Sequence, residues 1–178
     1  EMIRQAKKRG VPVTAETCPH YFTLTENACE GYNTNAKVNP PLRTQEDVEA
    51  VIEGLKDGTI DIIATDHAPH HFDEKNVEFE LAANGMVGFE TALPLALTYL
   101  VAPGILTLNQ LADKMSSKPA EILKIDKGHI RPGADADMVL VNLGEEYIIN
   151  PNEFLSKSKN TPFAGFKVKG RVKYTIVG

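Results

Sequence analysis

The fold class is indicated most directly by residues 60–71, which have the sequence Ile60-Asp61-Ile62-Ile63-Ala64-Thr65-Asp66-His67-Ala68-Pro69-His70-His71. The first six residues are mostly apolar, as expected of a parallel strand covered on both faces. The next six bring a carboxylate and three imidazoles to the carboxyl end of that strand, where α/β folds place their active sites. The stretch therefore predicts an α/β protein with a site around Asp66. The alternative is that Asp66 only caps the following turn and that the histidines are ordinary surface groups.

Helix and strand patterns alternate on both sides of this stretch, which indicates βα units and a parallel sheet. A helix ends at Gly10, a strand covers 13–17, and a long loop covers 18–43. Predicted helices cover 44–55, with Thr44 as the cap, 89–101, with Pro94 near the first turn, 107–115 and 118–123. After Gly128 the pattern changes to strands and turns. Only two parallel strands are visible, whereas a complete eight-stranded barrel takes about 250 residues, so we expect the second part of a larger architecture.

Composition narrows the class of protein. The chain has 178 residues, a net charge of −5 and 42% hydrophobic residues, which is close to average for a globular domain. The mild acidity argues against a nucleic-acid binder, and no apolar run is long enough to span a bilayer. No secretory signal or transit peptide is visible, and Cys18 and Cys29 cannot form a disulfide framework, which suits a reducing cytosol. A cytoplasmic enzyme or binding domain remains.

Three further segments carry groups that could do chemistry. Two prolines after Asn39 stiffen a loop that can present the Asn39 amide to a ligand, although composition alone slightly favours an ordinary turn. In Cys18-Pro19-His20-Tyr21, a hydrogen-bonded packing role for His20 is preferred over metal ligation. The glycines in 83–88 allow close approach of backbone to a ligand, which is weak support because turns use the same residues.

Together these segments resemble the dihydroorotase family of the amidohydrolase superfamily. The matching segments are Glu16-Thr17-Cys18-Pro19-His20-Tyr21, Asn39-Pro40-Pro41-Leu42-Arg43, Asp66-His67-Ala68-Pro69-His70, Gly85-Met86-Val87-Gly88-Phe89-Glu90-Thr91 and the run from Lys127 to Val139. The resemblance covers essentially the whole chain. It is most specific in the pairing of the Asn-Pro-Pro-Leu-Arg loop with Asp-His-Ala-Pro-His.

The resemblance implies the C-terminal part of a (β/α)8 TIM-type barrel, with its last two strands and helices in 1–126. Residues 127–178 then form the C-terminal segment of a small β-sandwich domain. Asp66 matches a catalytic metal ligand that also shuttles a proton. Asn39, His70 and the Asn84-Gly85 dipeptide match substrate-binding positions, whereas His20, His67 and His71 receive no role. The resemblance also implies zinc as the metal, in a binuclear centre whose other ligands are not in this chain.

The reaction implied by the resemblance is the reversible hydrolysis of dihydroorotate to carbamoyl aspartate, a step of pyrimidine synthesis. The nearest alternative to this reaction is a hydantoinase or allantoinase activity, which acts on another cyclic amide. A metal-free scaffold for aspartate transcarbamoylase is the non-enzymatic alternative. The resemblance also implies a homodimer at full length and a transcarbamoylase as a further partner. With one metal ligand and uncovered strand edges, this chain is expected to be a fragment that is inactive alone.

Overall fold

The computed structural model describes residues 1–178 and has two small sheets connected by helices. Strand β1 pairs with β2 in parallel, with Glu16 opposite Ile62 and Thr17 opposite Ile63. Strands β3 and β4 form an antiparallel ribbon with two irregularities in its register. The elements in chain order are α1 (Met2–Lys8), β1 (Glu16–Thr17), α2 (Gln45–Lys56), β2 (Ile62–Ile63), α3 (Phe72–Lys75), α4 (Phe89–Ala96), α5 (Leu108–Ala112), α6 (Lys118–Leu123), β3 (Met138–Ile148) and β4 (Lys167–Ile176).

The predicted α/β alternation is confirmed, but both parallel strands are shorter than their apolar runs. Each of the two contributes only two residues to the ladder. The amide of Ala64 nevertheless donates to the carbonyl of Thr17 at 2.9 Å, so the pairing extends one residue past β2. The segments that follow β1 and β2 therefore begin at the same edge of the sheet.

The helix starts follow the predicted capping chemistry. Thr44 and Asp47 form a reciprocal capping box at the start of α2, and Thr107 with Gln110 does the same for α5. Each box satisfies two backbone amides that a helix start leaves without partners. The predicted helix over 118–123 is confirmed as α6.

Pro94, predicted near the first turn of its helix, lies in the second turn of α4, which begins at Phe89 as predicted. Proline lacks the amide that would bond to the preceding turn, and the helix widens into a π-helical segment over Leu97–Val101 directly afterwards. Such segments are typical of helices with an interrupted hydrogen-bond ladder. The hydroxyl of Thr98 donates to the carbonyl of Pro94 at 2.6 Å.

Two apolar clusters hold the chain together. The first joins the loops after β1 and β2 to the C-terminal part of the chain and contains Leu24, Ala36, Val38, Leu42, Met86, Leu95, Ile149, Phe163 and Val168. The second packs α2, β2 and the helices after α4, and contains Phe22, Leu55, Ile63, Ala96, Leu97, Leu100, Leu106 and Leu111. The first cluster therefore fixes the position of the loops that carry the predicted site.

Apolar side chains also remain exposed along the ribbon, among them Val139, Leu140, Leu143, Val172 and Ile176. None of the helices combines the length and apolar character that a membrane span requires.

Candidate functional site

Asp66 lies just beyond the carboxyl end of β2, with an exposed side chain. Its φ of 49° is in the left-handed region, which is uncommon for residues other than glycine but tolerated by aspartate. This conformation turns the chain sharply where it leaves the sheet. Strained backbone of this kind is frequent at functional sites.

Two side chains that follow β1 lie beside Asp66. Cys18 comes directly after the strand, and His20 lies in the short 3-10 helix Pro19–Phe22. Their donor atoms and a carboxylate oxygen of Asp66 all lie within 4.8 Å of one another. Parallel pairing of β1 with β2 produces this proximity, because the two chain segments leave the sheet at the same edge.

His20 is buried, as a packing role predicts, with 2% of its surface exposed. Its ring contacts the ring of Tyr21, with centroids 4.2 Å apart. The predicted hydrogen bond is missing, however, since Nε2 is buried without a partner. Burial lowers the pKa of His20 to about 4, with the Asp66 carboxylate acting weakly in the opposite direction. The imidazole is therefore neutral at pH 7.

Burial, together with the nearby carboxylates of Asp66 and Glu16, raises the pKa of the Cys18 thiol to about 12. A nucleophilic cysteine requires a thiolate, which is favoured by a positive environment. Here the thiol is protonated and the neighbouring imidazole is neutral. The arrangement does not provide the thiolate–imidazolium pair of a cysteine hydrolase.

The predicted substrate-binding residues lie on three loops that are joined by hydrogen bonds. Nε2 of His70 lies 2.9 Å from the carbonyl oxygen of Asn84, and because a carbonyl only accepts, this nitrogen is the donor. The amide of Gly85 donates to the carbonyl of Lys37 at 2.8 Å. Lys37 is two residues before Asn39, whose side chain is exposed. The structure thus brings the loops of His70, Asn84-Gly85 and Asn39 together.

A glycine is required at position 85 by both backbone and space. Its φ is 125°, and a Cβ atom there would lie 2.5 Å from the Cβ of Ala68 and 3.2 Å from Nε2 of His70. Any side chain would therefore displace the segment that follows Asp66. The Asn39 loop is held from the other side, since the hydroxyl of Tyr21 donates to the carbonyl of Pro40 at 2.7 Å.

Asn160 is a positioning residue that sequence reasoning missed. Its Oδ1 accepts from the amide of His70 at 3.1 Å, and its Nδ2 donates to the carbonyls of Ala68 and Gly85 at 3.0 and 3.2 Å. Nearby, the hydroxyl of Ser158 donates to the carbonyl of His70 at 2.6 Å. No local motif marks Asn160, and the sequence separation of about 90 residues hides the contact.

Lys75 was also missed. Its Nζ donates to the carbonyls of Ala83 and Gly85 at 2.7 and 3.0 Å, although only 5% of the residue is exposed. Burial, together with the nearby Lys37 ammonium, lowers its pKa to about 8. Lys37 in turn donates to the carbonyls of Glu80 and Ala82. Two cations therefore hold the 80–85 backbone in place.

The histidines without a predicted role have structural ones. Nδ1 of His67 accepts from the amides of Gly88 and Phe89 at 3.0 and 3.3 Å, and its ring stacks on Phe89 at 3.8 Å. His67 thereby caps α4. His71 caps the single turn of α3, where its Nδ1 accepts from the amide of Asp73.

A carboxylate at the carboxyl edge of parallel strands, beside polar loops, lies where α/β barrel enzymes place their active sites, and a carboxylate can bind a catalytic metal. The sequence model of the amidohydrolase family matches residues 1–178, and the chain belongs to that family. Amidohydrolases are generally metal-dependent enzymes with a TIM-barrel fold.

Individual relatives agree with this assignment. The chain is 69% identical over 177 residues to a dihydroorotase of Acetivibrio thermocellus and 68% identical over 178 residues to one of Ruminiclostridium cellulolyticum. These matches cover 99% and 100% of this chain but 42% of each relative. The structure of an L-hydantoinase (dihydropyrimidinase) from Arthrobacter aurescens superimposes with a TM-score of 0.93 at 34% identity, over 99% of this chain and 40% of that protein. The chain thus spans less than half the length of the relatives it matches.

Proposed function

We propose that this chain takes part in the reversible hydrolysis of dihydroorotate to N-carbamoyl aspartate, a step of pyrimidine synthesis in the cytoplasm. The observation that carries the proposal is the meeting of Asp66 with the loops of Asn39, His70 and Asn84-Gly85 at one edge of the sheet. The hydrogen bonds from His70 to Asn84 and from Gly85 to Lys37 support a single substrate-binding surface. Identity of 69% to a dihydroorotase, against 34% to the hydantoinase, supports this choice of cyclic amide.

Asp66 fits a metal because its carboxylate is exposed at a strand end, where a divalent ion can reach it. We propose zinc as the metal, with the further ligands of a binuclear centre supplied from outside these 178 residues. A bound zinc ion supplies a hydroxide nucleophile at neutral pH and polarises the carbonyl that is attacked. Asp66 would hold one proton after the attack and pass it to the leaving ring nitrogen, as base and then acid.

Asn39 and His70 would bind and orient the substrate. The Asn39 amide offers both a donor and an acceptor to a cyclic amide or its carboxylate. His70 already donates from Nε2 to Asn84, so substrate groups that approach this ring compete with that carbonyl or use Nδ1. The backbone of Asn84-Gly85 would lie along the ring of the substrate. These contacts would contribute to catalysis by orienting the substrate for attack.

The organisation of the whole protein follows the same proposal. Residues 1–126 would belong to the barrel, and residues 127–178, with the β3–β4 ribbon, to a small β-sandwich domain. The protein would act as a homodimer, with aspartate transcarbamoylase as a further partner. The chain alone would bind dihydroorotate poorly and would not hydrolyse it, because it supplies only one ligand of the zinc centre.

The test is turnover of dihydroorotate, hydantoin and allantoin by the full-length gene product, together with its metal content. We expect turnover of dihydroorotate and zinc in the protein. The variant D66N should lose at least about a hundredfold in kcat, since it removes a proton-transferring group. Its control, D73N, changes an exposed aspartate of α3 and should leave kcat unchanged. Turnover of hydantoin or allantoin alone would favour the hydantoinase alternative. The TM-score of 0.93 to an L-hydantoinase supports testing these substrates.

A further outcome separates the enzyme from a scaffold. A full-length protein that binds no metal and turns over none of the three substrates would contradict the proposal. Dihydroorotase activity in the purified 178-residue chain would contradict the requirement for ligands from outside it.

A further inference from the structure

Lys75 carries a buried positive charge that no acidic side chain neutralises. The residue is 5% exposed, and its Nζ donates to the carbonyls of Ala83 and Gly85. Burial, together with the Lys37 ammonium, lowers its pKa, and no carboxylate acts in the opposite direction. Carbonyl oxygens solvate the ammonium but leave its charge in place, and burial of a charge without a counter-ion is costly. An anion that binds nearby would therefore interact favourably with Lys75.

The neighbouring acidic groups do not provide this counter-ion. The carboxylate of Glu74 lies 3.5 Å from Nδ1 of His70 and forms no ion pair with Lys75. The chain buries one other lysine, Lys114. Burial lowers the pKa of Lys114 too, but the Asp61 carboxylate acts in the opposite direction. Lys75 is thus the buried lysine of this chain that lacks a counter-ion.

The charge lies close to the proposed substrate-binding surface. Nζ of Lys75 is 3.0 Å from the carbonyl oxygen of Gly85, and the carbonyl of Asn84 binds Nε2 of His70. Since van der Waals contact is about 3.5–4.0 Å, a substrate that lies against the Gly85 backbone comes within about 7 Å of this ammonium. Lys75 also lines an open polar cleft of about 330 Å³, which includes His70 and has no Asp or Glu in its lining.

We propose that Lys75 is a specificity-determining residue, which makes the site prefer a cyclic amide with a carboxylate over a neutral one. Two opposite charges about 7 Å apart, at an effective dielectric constant of about 20, change a binding constant by more than tenfold. Dihydroorotate carries a carboxylate on its ring, whereas hydantoin and allantoin are neutral. Lys75 acts through space and through the carbonyl of Gly85, without contact to the substrate. The inference rests on the proposed function and adds the charge of the substrate to it.

The test compares dihydroorotate with its methyl ester, which has the same ring but no carboxylate charge. The full-length protein and its variants are assayed at pH 7, where Lys75 is protonated because its pKa of about 8 is higher. The variant K75M should lower kcat/KM for dihydroorotate at least about tenfold, equivalent to 1.4 kcal/mol, and that for the ester less than about threefold. The control K114M removes the other buried lysine, whose Nζ donates to the carbonyl of Ile60. It should leave the ratio of the two kcat/KM values unchanged.

Turnover of dihydroorotate by the native protein tests the proposed function separately. If the native protein is active, three results contradict the role of Lys75 alone. They are unchanged kcat/KM values in K75M, equal losses for dihydroorotate and its ester, and the same change of their ratio in K114M. An inactive native protein contradicts both the proposed function and this inference.

A measurement on the native protein decides if circular dichroism shows that K75M is unfolded. Lysine labelled with ¹³C at the ε-carbon reports the titration of each ammonium by nuclear magnetic resonance. Orotate, which has a pyrimidine ring and a carboxylate, should raise the pKa of the lysine that titrates lowest, whereas uracil, which has no carboxylate, should not. If orotate leaves that pKa unchanged, the proposal is wrong.

Discussion

Replacing Asn160 should loosen the candidate site without touching any residue that reacts. Asn160 is 6% exposed and lies on the segment between β3 and β4. Its side-chain amide makes three hydrogen bonds, one from the amide of His70 and two to the carbonyls of Ala68 and Gly85. It is the main polar connection between the C-terminal segment and the loop after Asp66.

The expected cost follows from those three bonds. A hydrogen bond contributes about 0.5–1.5 kcal/mol net, and a buried partner that is left unsatisfied costs more. The variant N160A should therefore lower the free energy of unfolding by about 2–4 kcal/mol. The variant N160D keeps the acceptor for His70 but places a carboxylate oxygen against two carbonyl oxygens. It should destabilise the chain at least as much as N160A, although it is nearly the same size.

The assay is urea-induced unfolding of the native chain and the variants, followed by circular dichroism. N152A, which truncates an exposed asparagine nearby, is the matched control and should change the free energy of unfolding by less than about 0.5 kcal/mol. If N160A behaves like N152A, or if N160D is as stable as the native chain, the assigned role of Asn160 is refuted.

Three further predictions concern the same surface. The variant G85A should lower the free energy of unfolding by about 3 kcal/mol, because its Cβ would lie 2.5 Å from the Cβ of Ala68 and its φ is unfavourable for alanine. The control G104A also has a positive φ, but nothing lies within 4 Å of its Cβ, so the same urea unfolding should show a clearly smaller loss. For Lys75 the folded-state pKa of about 8 lies below the ordinary 10.5, so the cost of the buried charge is present at neutral pH and disappears as pH rises from about 8 to 10.5. The native chain should therefore gain up to about 3 kcal/mol relative to K75M over that interval, and a constant difference would contradict the burial of a charged amine. Finally, H67A should lower the free energy of unfolding by about 1–2 kcal/mol, measured by thermal unfolding. The variant removes the acceptor for the first amides of α4 and the ring that stacks on Phe89 of that helix. An unchanged melting temperature would contradict this capping role.

Local sequence determined the secondary structure and the position of the strand-end carboxylate. The apolar run before Asp66 predicted β2, the Thr44–Asp47 pair predicted the start of α2, and the 118–123 helix was predicted at its observed bounds. Such features depend on residues within a few positions of each other, where propensity and capping dominate. The start of α4 at Phe89 was predicted as well, whereas the π-helical widening after Pro94 was not, because no local pattern marks it.

Only the tertiary structure decided which polar groups meet. Asn160 contacts residues about 90 positions away, and Lys75 reaches the carbonyl of Gly85 through folding of the intervening loop. Cys18 and Asp66 become neighbours because β1 and β2 pair in parallel. No periodicity or local motif encodes these contacts, since they depend on how the apolar clusters bring distant segments together. The sequence therefore determined which residues could do chemistry, whereas packing decided which of them share a site, because burial and distance are properties of the whole fold.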